Sequence, residues 1–257
     1  YDKPLIFYPL SILMLAKIKN ILIIVNKGQI KLYKKILPNG KNLGISIKYL
    51  EQSYPKGLPD AFILGKKFIG KSNVALILGD NFFSGKLLKK KLLNSTKMKN
   101  GAKVFLHKVN TPKLFGIAKI NSKKQIIGIK EKPKKYYSNQ AITGLYFFDN
   151  KVINYSKKLK PSKRGELEIT DLLKEYHRKH QLYADSLGAG GKWFDAGSIE
   201  NYFEANLFVS KMKNRGIKIG CLEEIAFNNK WINKKNIVSA IKFYGNCAYS
   251  NYLKKLI

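Results

Sequence analysis

Apolar and polar residues alternate in blocks along this chain, and the blocks predict helices and strands in turn. Residues 9–18, P-L-S-I-L-M-L-A-K-I, predict a helix with proline near its start, where a missing N–H costs little. Five apolar residues at 21–25, I-L-I-I-V, predict a strand. A short helix near 29–36, a Pro-Asn-Gly turn and a strand at 45–50 come next. The loop Glu51–Leu58 carries proline and glycine and leads into a helix reaching about Phe68. Val74–Leu78, V-A-L-I-L, reads as a strand buried on both faces and ended by Gly79. Beyond it the pattern predicts a lysine-rich helix over about 86–94, a strand at 102–109, and a hairpin of 115–120 with 125–130 around N-S-K-K. Ala141–Phe148 is a second buried strand, interrupted by Gly144. Helices over about 150–157 and 166–180 follow, with R-G-E-L-E-I-T-D (Arg164–Asp171) at the start of the second, then a short strand near Leu182. From about Ser198 the chain is predicted helical to its end, apart from 217–220. Helices alternating with apolar strands predict an α/β protein with a mostly parallel central sheet and helices on both faces. Residues 1–197 would form that core, and 198–257 a small helical appendage packed on it.

Composition narrows this picture. A chain of 257 residues, 45% hydrophobic and 12% aromatic, can build a full core and is not a disordered sequence. Cys221 and Cys247 supply neither a disulfide framework nor metal-ligand spacing, which fits a reducing cytoplasm. The longest apolar stretch, Leu5–Ala16, contains Pro9 and Ser11, is too short to span a bilayer and is followed by no cleavage signal. No membrane association is expected.

The formal charge of +33 invites a nucleic-acid reading. Two features oppose it. Only Arg164, Arg178 and Arg215 among the 49 basic residues are arginine, the residue suited to bidentate phosphate and base contacts. The lysines are also spread along the chain, as on a solvated surface, so no specific nucleic-acid partner is expected. The stretches without Lys or Arg, 74–85, 136–150, 181–191 and 193–210, are where core strands and a site are expected.

Candidate chemistry falls in and beside those stretches. Asp80 lies just past the carboxyl end of a strand, where open α/β sheets place their ligand crevice; it could equally cap the next turn. Asp195, in W-F-D-A-G, is a second carboxylate next to a glycine and an aromatic segment. Two such acids suit Mg²⁺, which takes one or two carboxylates plus substrate phosphates. Glu131-Lys132-Pro133 sets a carboxylate and an ammonium side by side at a strand end, for sugar hydroxyls and a phosphate, or as an ordinary charged turn. Arg164-Gly165-Glu166 places a guanidinium at a helix start near a phosphate, or on the surface. Gly144 allows close approach of a ligand or another backbone, or marks a bulge. His177 and His180 share a helix face, but a polar one, and are not read as metal ligands. No motif for a nucleophilic triad, P-loop or CxxC site is present.

Taken in order, several runs resemble the bacterial glucose-1-phosphate thymidylyltransferases. They are Tyr1–Ala16, L-G-D-N (Leu78–Asn81), F-G-I (Phe115–Ile117), E-K-P, Ser138–Asp149, L-K-P-S-K-R-G-E-L-E-I-T-D (Leu159–Asp171), W-F-D-A-G and C-L-E-E-I-A-F (Cys221–Phe227). The resemblance covers essentially the whole chain. It implies a Rossmann-like nucleotidyltransferase fold in a cytoplasmic homotetramer serving dTDP-rhamnose and polysaccharide biosynthesis. The implied reaction is attack of a glucose 1-phosphate oxygen on the α-phosphorus of dTTP, giving dTDP-glucose and pyrophosphate with Mg²⁺. Such chemistry needs positioning and charge neutralisation more than a covalent nucleophile.

By resemblance, Asp80 and Asp195 hold Mg²⁺, and Lys132 and Arg164 meet the sugar phosphate. Glu131, Gly116, Asn81, Ile142 and Gly144 belong to the sugar side, and Gln52 and Gly57 read thymine from the 51–58 loop. The family's glycine-rich loop and a Lys-Gln pair would precede Tyr1. A chain starting at Tyr1 is therefore expected to show little or no transferase activity, the alternative being a silent relative kept as a sugar-nucleotide binder or oligomer partner. Phe115 stands where the family has Tyr, and Pro59-Asp60 where it has Ala-Gln. Ser84, Lys86 and Asn228 differ from the residues of a second, feedback site, which predicts weakened end-product inhibition.

Overall fold

A computed structural model describes residues 1–257. The first part of the chain runs through α1 (Phe7–Leu15), β1 (Asn20–Asn26), α2 (Ile30–Ile36), β2 (Ser46–Gln52), α3 (Asp60–Leu64) and α4 (Lys66–Ile69). Then come β3 (Val74–Ile77), β4 (Asn81–Ser84), α5 (Leu88–Thr96), β5 (Ala102–Lys108), β6 (Gly116–Ile120), β7 (Ile126–Glu131) and β8 (Gln140–Phe148). The chain continues with α6 (Val152–Lys158), α7 (Ile169–Arg178), β9 (Leu182–Ser186) and β10 (Lys192–Asp195). Four helices close it: α8 (Ile199–Asn214), α9 (Leu222–Asn228), α10 (Lys234–Tyr244) and α11 (Ala248–Lys254).

The main sheet is assembled on the two edges of β8, in which every residue from Ala141 onward is buried. Period-two alternation divides its side chains. Ile142, Tyr146 and Phe148 enter one cluster with Phe62 of α3, Val152 of α6 and Leu172 and Tyr176 of α7. Ala141, Leu145 and Phe147 enter another with Ile12 of α1 and Leu88 and Leu92 of α5. Both faces of the sheet are thus covered by helices, as the apolar runs predicted.

Strand direction differs from the prediction. β5 lies along one edge of β8 and β3 and β6 share the other, all antiparallel to it; β7 is antiparallel to β6. Only β5–β9 in this sheet and the separate pair β1–β2 are parallel. The sheet is mixed. A strand buried on both faces has the same apolar signature whichever way its neighbours run, so periodicity could not report direction. β3 is also only half-buried along its length. It pairs with β8 alone, and its free edge faces the free edge of β1 across a cavity of about 750 Å³.

Two further elements escaped the pattern. β4 and β10, four residues each, form an antiparallel ladder with Asn81 opposite Asp195 and Phe83 opposite Trp193. The helix expected from residue 166 begins instead at Ile169. The C-terminal helices rest on the N-terminal one: Leu222 and Ala226 of α9 share a cluster with Phe7, Leu10 and Met14. Buried Glu223 accepts hydrogen bonds from Tyr244 (2.8 Å) and Tyr249 (2.5 Å), tying α9 to α10 and α11. No helix is long and apolar enough to cross a membrane.

Candidate active site

The β4–β10 ladder sets the geometry of the site. Because Asn81 pairs with Asp195, Asp80 and Asp195 come to the same end of that ladder, and the Ala196 amide donates to the Asp80 carbonyl at 2.9 Å. The two carboxylates flank Gly197: a Cβ there would lie 3.3 Å from Asp195 Oδ1 and 3.4 Å from Asp80 Oδ2. Burial, and then the neighbouring Asp80 carboxylate, push the Asp195 carboxyl above the ordinary aspartate range. Two half-buried acids facing one point make a cost that a cation relieves. No group of three or more His, Cys, Asp or Glu side chains could hold a metal ion. A cation at this pair would therefore complete its shell with water or substrate oxygens, as Mg²⁺ does.

Asn81 is the rivet under the acids. It is buried; its Oδ1 accepts from the Gly144 amide (3.0 Å) and from Trp193 Nε1 (2.6 Å), and its Nδ2 donates to Asp80 Oδ1 (2.8 Å). One side chain thus ties β4 to β8 and β10 and aims Asp80. Gly144 is glycine for the same reason, since a Cβ would lie 2.5 Å from Asn81 Oδ1. Both residues were assigned to the sugar side by resemblance; their atoms are engaged in holding the acids. Ile142 likewise turns its side chain into the core. What it offers is backbone. β6 pairs with β8 at Gln140 and Ala141, β3 resumes at Leu145, and Ile142 and Thr143 between them have no strand on that edge.

That gap opens beside Gly116, which abuts Glu131 and the buried Thr170. Burial raises the Glu131 carboxyl; the negative charge of Glu168 adds to the shift, while Arg164 and Lys132 oppose it. Lys132 leaves β7 with φ of +38°, unusual for a side-chain-bearing residue and of the kind found where structure is held for function. Its amide donates to the Phe115 carbonyl at 3.1 Å, and its charge is felt at Asp195, Glu131 and Glu168 alike. Arg164 lies on a loop ahead of α7, not at its start, with Nη2 3.6 Å from Glu131 Oε1. The two acids, Glu131, Lys132 and Arg164 therefore gather around one cleft.

Gln52 and Gly57 lie at the end of β2 and on the loop that follows it. Gln52 ends β2 and donates from Nε2 to Asn26 Oδ1 at 3.0 Å. Gly57 has φ of +102°, and a Cβ there would run into the Leu167 carbonyl. The Leu167 amide donates to the Lys56 carbonyl at 2.7 Å, so the 51–58 loop is docked on the loop carrying Arg164. Both Gln52 and Gly57 line the cavity between β1 and β3, most of whose lining residues are apolar; Asp80, Glu131, Lys132, Arg164 and Asp195 do not line it.

Phe115, lacking the hydroxyl of the family's Tyr, packs edge-on against Trp193 with ring centroids 5.2 Å apart. Two contributors were missed in the sequence. Trp193 and Glu168 both lie in quoted runs, but only their partners in space, Asn81 and Arg164, reveal what they do.

A profile of the family described as nucleotidyl transferase matches residues 1–212. A glucose-1-phosphate thymidylyltransferase of Neisseria meningitidis serogroup A is 42% identical over the whole of this chain and 90% of its own length. Among solved structures, a Bacillus anthracis protein assigned as a glucose-1-phosphate thymidylyltransferase, crystallised with sucrose, superposes with a TM-score of 0.73. It is 38% identical, over 80% of this chain and 82% of that one. A UDP-glucose pyrophosphorylase in complex with UDP-glucose gives a TM-score of 0.69 at 25% identity, over 82% of this chain and 88% of that one.

Proposed function

Because the chain belongs to the nucleotidyl transferase family, among the glucose-1-phosphate thymidylyltransferases, we propose that it transfers a thymidylyl group from dTTP to glucose 1-phosphate, releasing dTDP-glucose and pyrophosphate. In this reading the phosphate of glucose 1-phosphate is the nucleophile, already anionic, so no general base or covalent enzyme intermediate is needed. What the protein supplies is alignment of that oxygen with the α-phosphorus and neutralisation of the charges brought together.

Lys132 and Arg164 receive the sugar phosphate and lower the repulsion between two anionic reactants. Glu131 and the free backbone edge at Ile142, next to Gly116, take the glucose hydroxyls. Gln52 and the loop at Gly57 take the base. Asp80 and Asp195 would hold Mg²⁺, which when bound neutralises triphosphate charge on the side facing Lys132. The observation that carries this reading is the meeting of two carboxylates at Gly197 across one cleft from a lysine and an arginine. Acids alone would repel both substrates, and cations alone would not organise a metal-bound triphosphate.

The test is product formation by the full encoded protein given dTTP, glucose 1-phosphate and Mg²⁺. dTDP-glucose should appear with one equivalent of pyrophosphate and should cease on chelation by EDTA. Faster product formation from UTP, or turnover unaffected by EDTA, would overturn the assignment.

A further inference from the structure

The arginine assigned to the sugar phosphate is not free in the cleft. Arg164 donates from Nε to Glu168 Oε1 (3.2 Å) and from Nη2 to Glu168 Oε2 (2.7 Å), a side-on bidentate pair. Glu168 Oε1 also accepts from Ser162 Oγ at 2.6 Å. The Glu168 side chain is only 9% exposed, whereas that of Arg164 is 44% exposed. The acid is thus the fixed member and the arginine the one being held.

Glu168 occupies the position that would cap α7, yet its side chain makes no cap hydrogen bond; the carboxylate is turned back to Arg164 and Ser162 instead. Burial alone would raise its carboxyl, but the hydrogen bonds from Arg164 and Ser162 outweigh burial, and the net shift is downward. Glu168 stays charged.

We infer that Glu168 is a positioning residue, which locks one edge of the Arg164 guanidinium so that its remaining N–H donors are already aimed when the sugar phosphate arrives. This rests on the reading of Arg164 as a phosphate ligand. A guanidinium has five N–H donors, and the Glu168 pair uses two, leaving three for an anion. An unrestrained arginine loses rotamer freedom on binding; one already held by a buried acid has lost it on folding. The nearby alternative, Glu131, is too distant for that role, at 3.6 Å from Nη2, and faces Gly116 on the sugar side. The remainder of the loop is held independently, by Ser162 N to the Glu166 carbonyl (2.8 Å) and Leu167 N to the Lys56 carbonyl (2.7 Å). Loss of the Glu168 pair should therefore loosen the side chain and leave the loop in place.

The experiment is a double-mutant cycle on the full encoded protein. It follows glucose 1-phosphate affinity by calorimetry, with KM for dTTP and the melting temperature as controls. Glu168→Gln keeps the shape but replaces one acceptor oxygen with a donor facing the guanidinium. It should weaken glucose 1-phosphate binding about 3- to 10-fold, the range set by ordering one long side chain, with dTTP KM nearly unchanged. Glu168→Asp, a carboxylate one methylene shorter, should recover part of the loss. Arg164→Ala should weaken binding more, and Glu168→Gln added to Arg164→Ala should cost nothing further, since a positioning acid with no arginine has nothing to position.

If Arg164→Ala leaves affinity unchanged, the phosphate reading of Arg164 is wrong. If Arg164→Ala weakens binding while Glu168→Gln is silent, or the two losses add, only the positioning role falls. Should Glu168→Gln fail to fold, Ser162→Ala removes just the hydroxyl shared with Oε1. Because that hydroxyl also accepts from the Arg164 amide at 3.2 Å, the variant is read together with Arg164→Ala: it should shift affinity about 2-fold in the same direction and cost nothing further in the Arg164→Ala background, and no shift, or additive losses, would sink the inference.

Discussion

The cleft has two walls built to different standards. On the β8 side three charged groups of the site are each held by a second group: Asn81 under Asp80, the Gly197 amide on Asp195 at 3.3 Å, Glu168 behind Arg164. On the β1–β2 side, Gln52 is held by one exposed hydrogen bond to Asn26. The difference follows the work of each wall. Charges that must meet a reacting phosphate need fixed positions, because electrostatic stabilisation comes from dipoles and ions that need not reorganise. A base is recognised by neutral hydrogen bonds, which place less demand on fixed charge.

The largest expected effect tests which wall carries the chemistry. Asp195→Asn should lower kcat about 10³-fold, the scale of losing a principal electrostatic group at a phosphoryl-transfer centre, across a full Mg²⁺ titration. Gln52→Ala should raise KM for dTTP about tenfold, as one lost recognition contact would, with kcat little changed. Equal losses in kcat for the two variants would erase the contrast.

Next comes stability. Asn81→Ala should destabilise the fold by about 3 kcal/mol in urea unfolding, because the Trp193 indole, the Gly144 amide and Asp80 all lose a buried partner. Asn26→Ala, removing one exposed contact to Gln52, should cost under about 0.5 kcal/mol.

The smallest effect is in pH. The Glu168 carboxyl is lowered in the fold, so its contribution is complete above the unfolded glutamate value and is lost as pH falls through the lowered one. Because Arg164 is part-exposed, this amounts to under about 1 kcal/mol. The acid side of a Tm–pH curve should be shallower in Glu168→Gln than in the wild type. An identical acid slope would mean that Glu168 is no better paired than a surface acid.

Much of this molecule was legible along the chain. The apolar blocks located most helices and most strands, and the lysine-free stretches contained β3, β4, β8, β9 and most of α8. The runs carrying Asp80, Glu131, Lys132, Arg164 and Asp195 were enough to suggest the family. What stayed hidden depends on pairs. The four-residue strands β4 and β10 are too short to show a period, yet their register brings Asp80 and Asp195 together. The contact of Asn81 with Gly144 was hidden because a buried amide and a glycine in a strand read the same in sequence whatever they meet.

Local periodicity and residue type determined that this is an α/β protein and which side chains could bear charge, because those depend on neighbours in the chain. The mixed strand directions, the shared post of the two aspartates and the grip of Glu168 on Arg164 were decided only by the tertiary structure. Each is a relation between segments distant in sequence, and hydrogen-bond register and side-chain packing exist only once those segments meet.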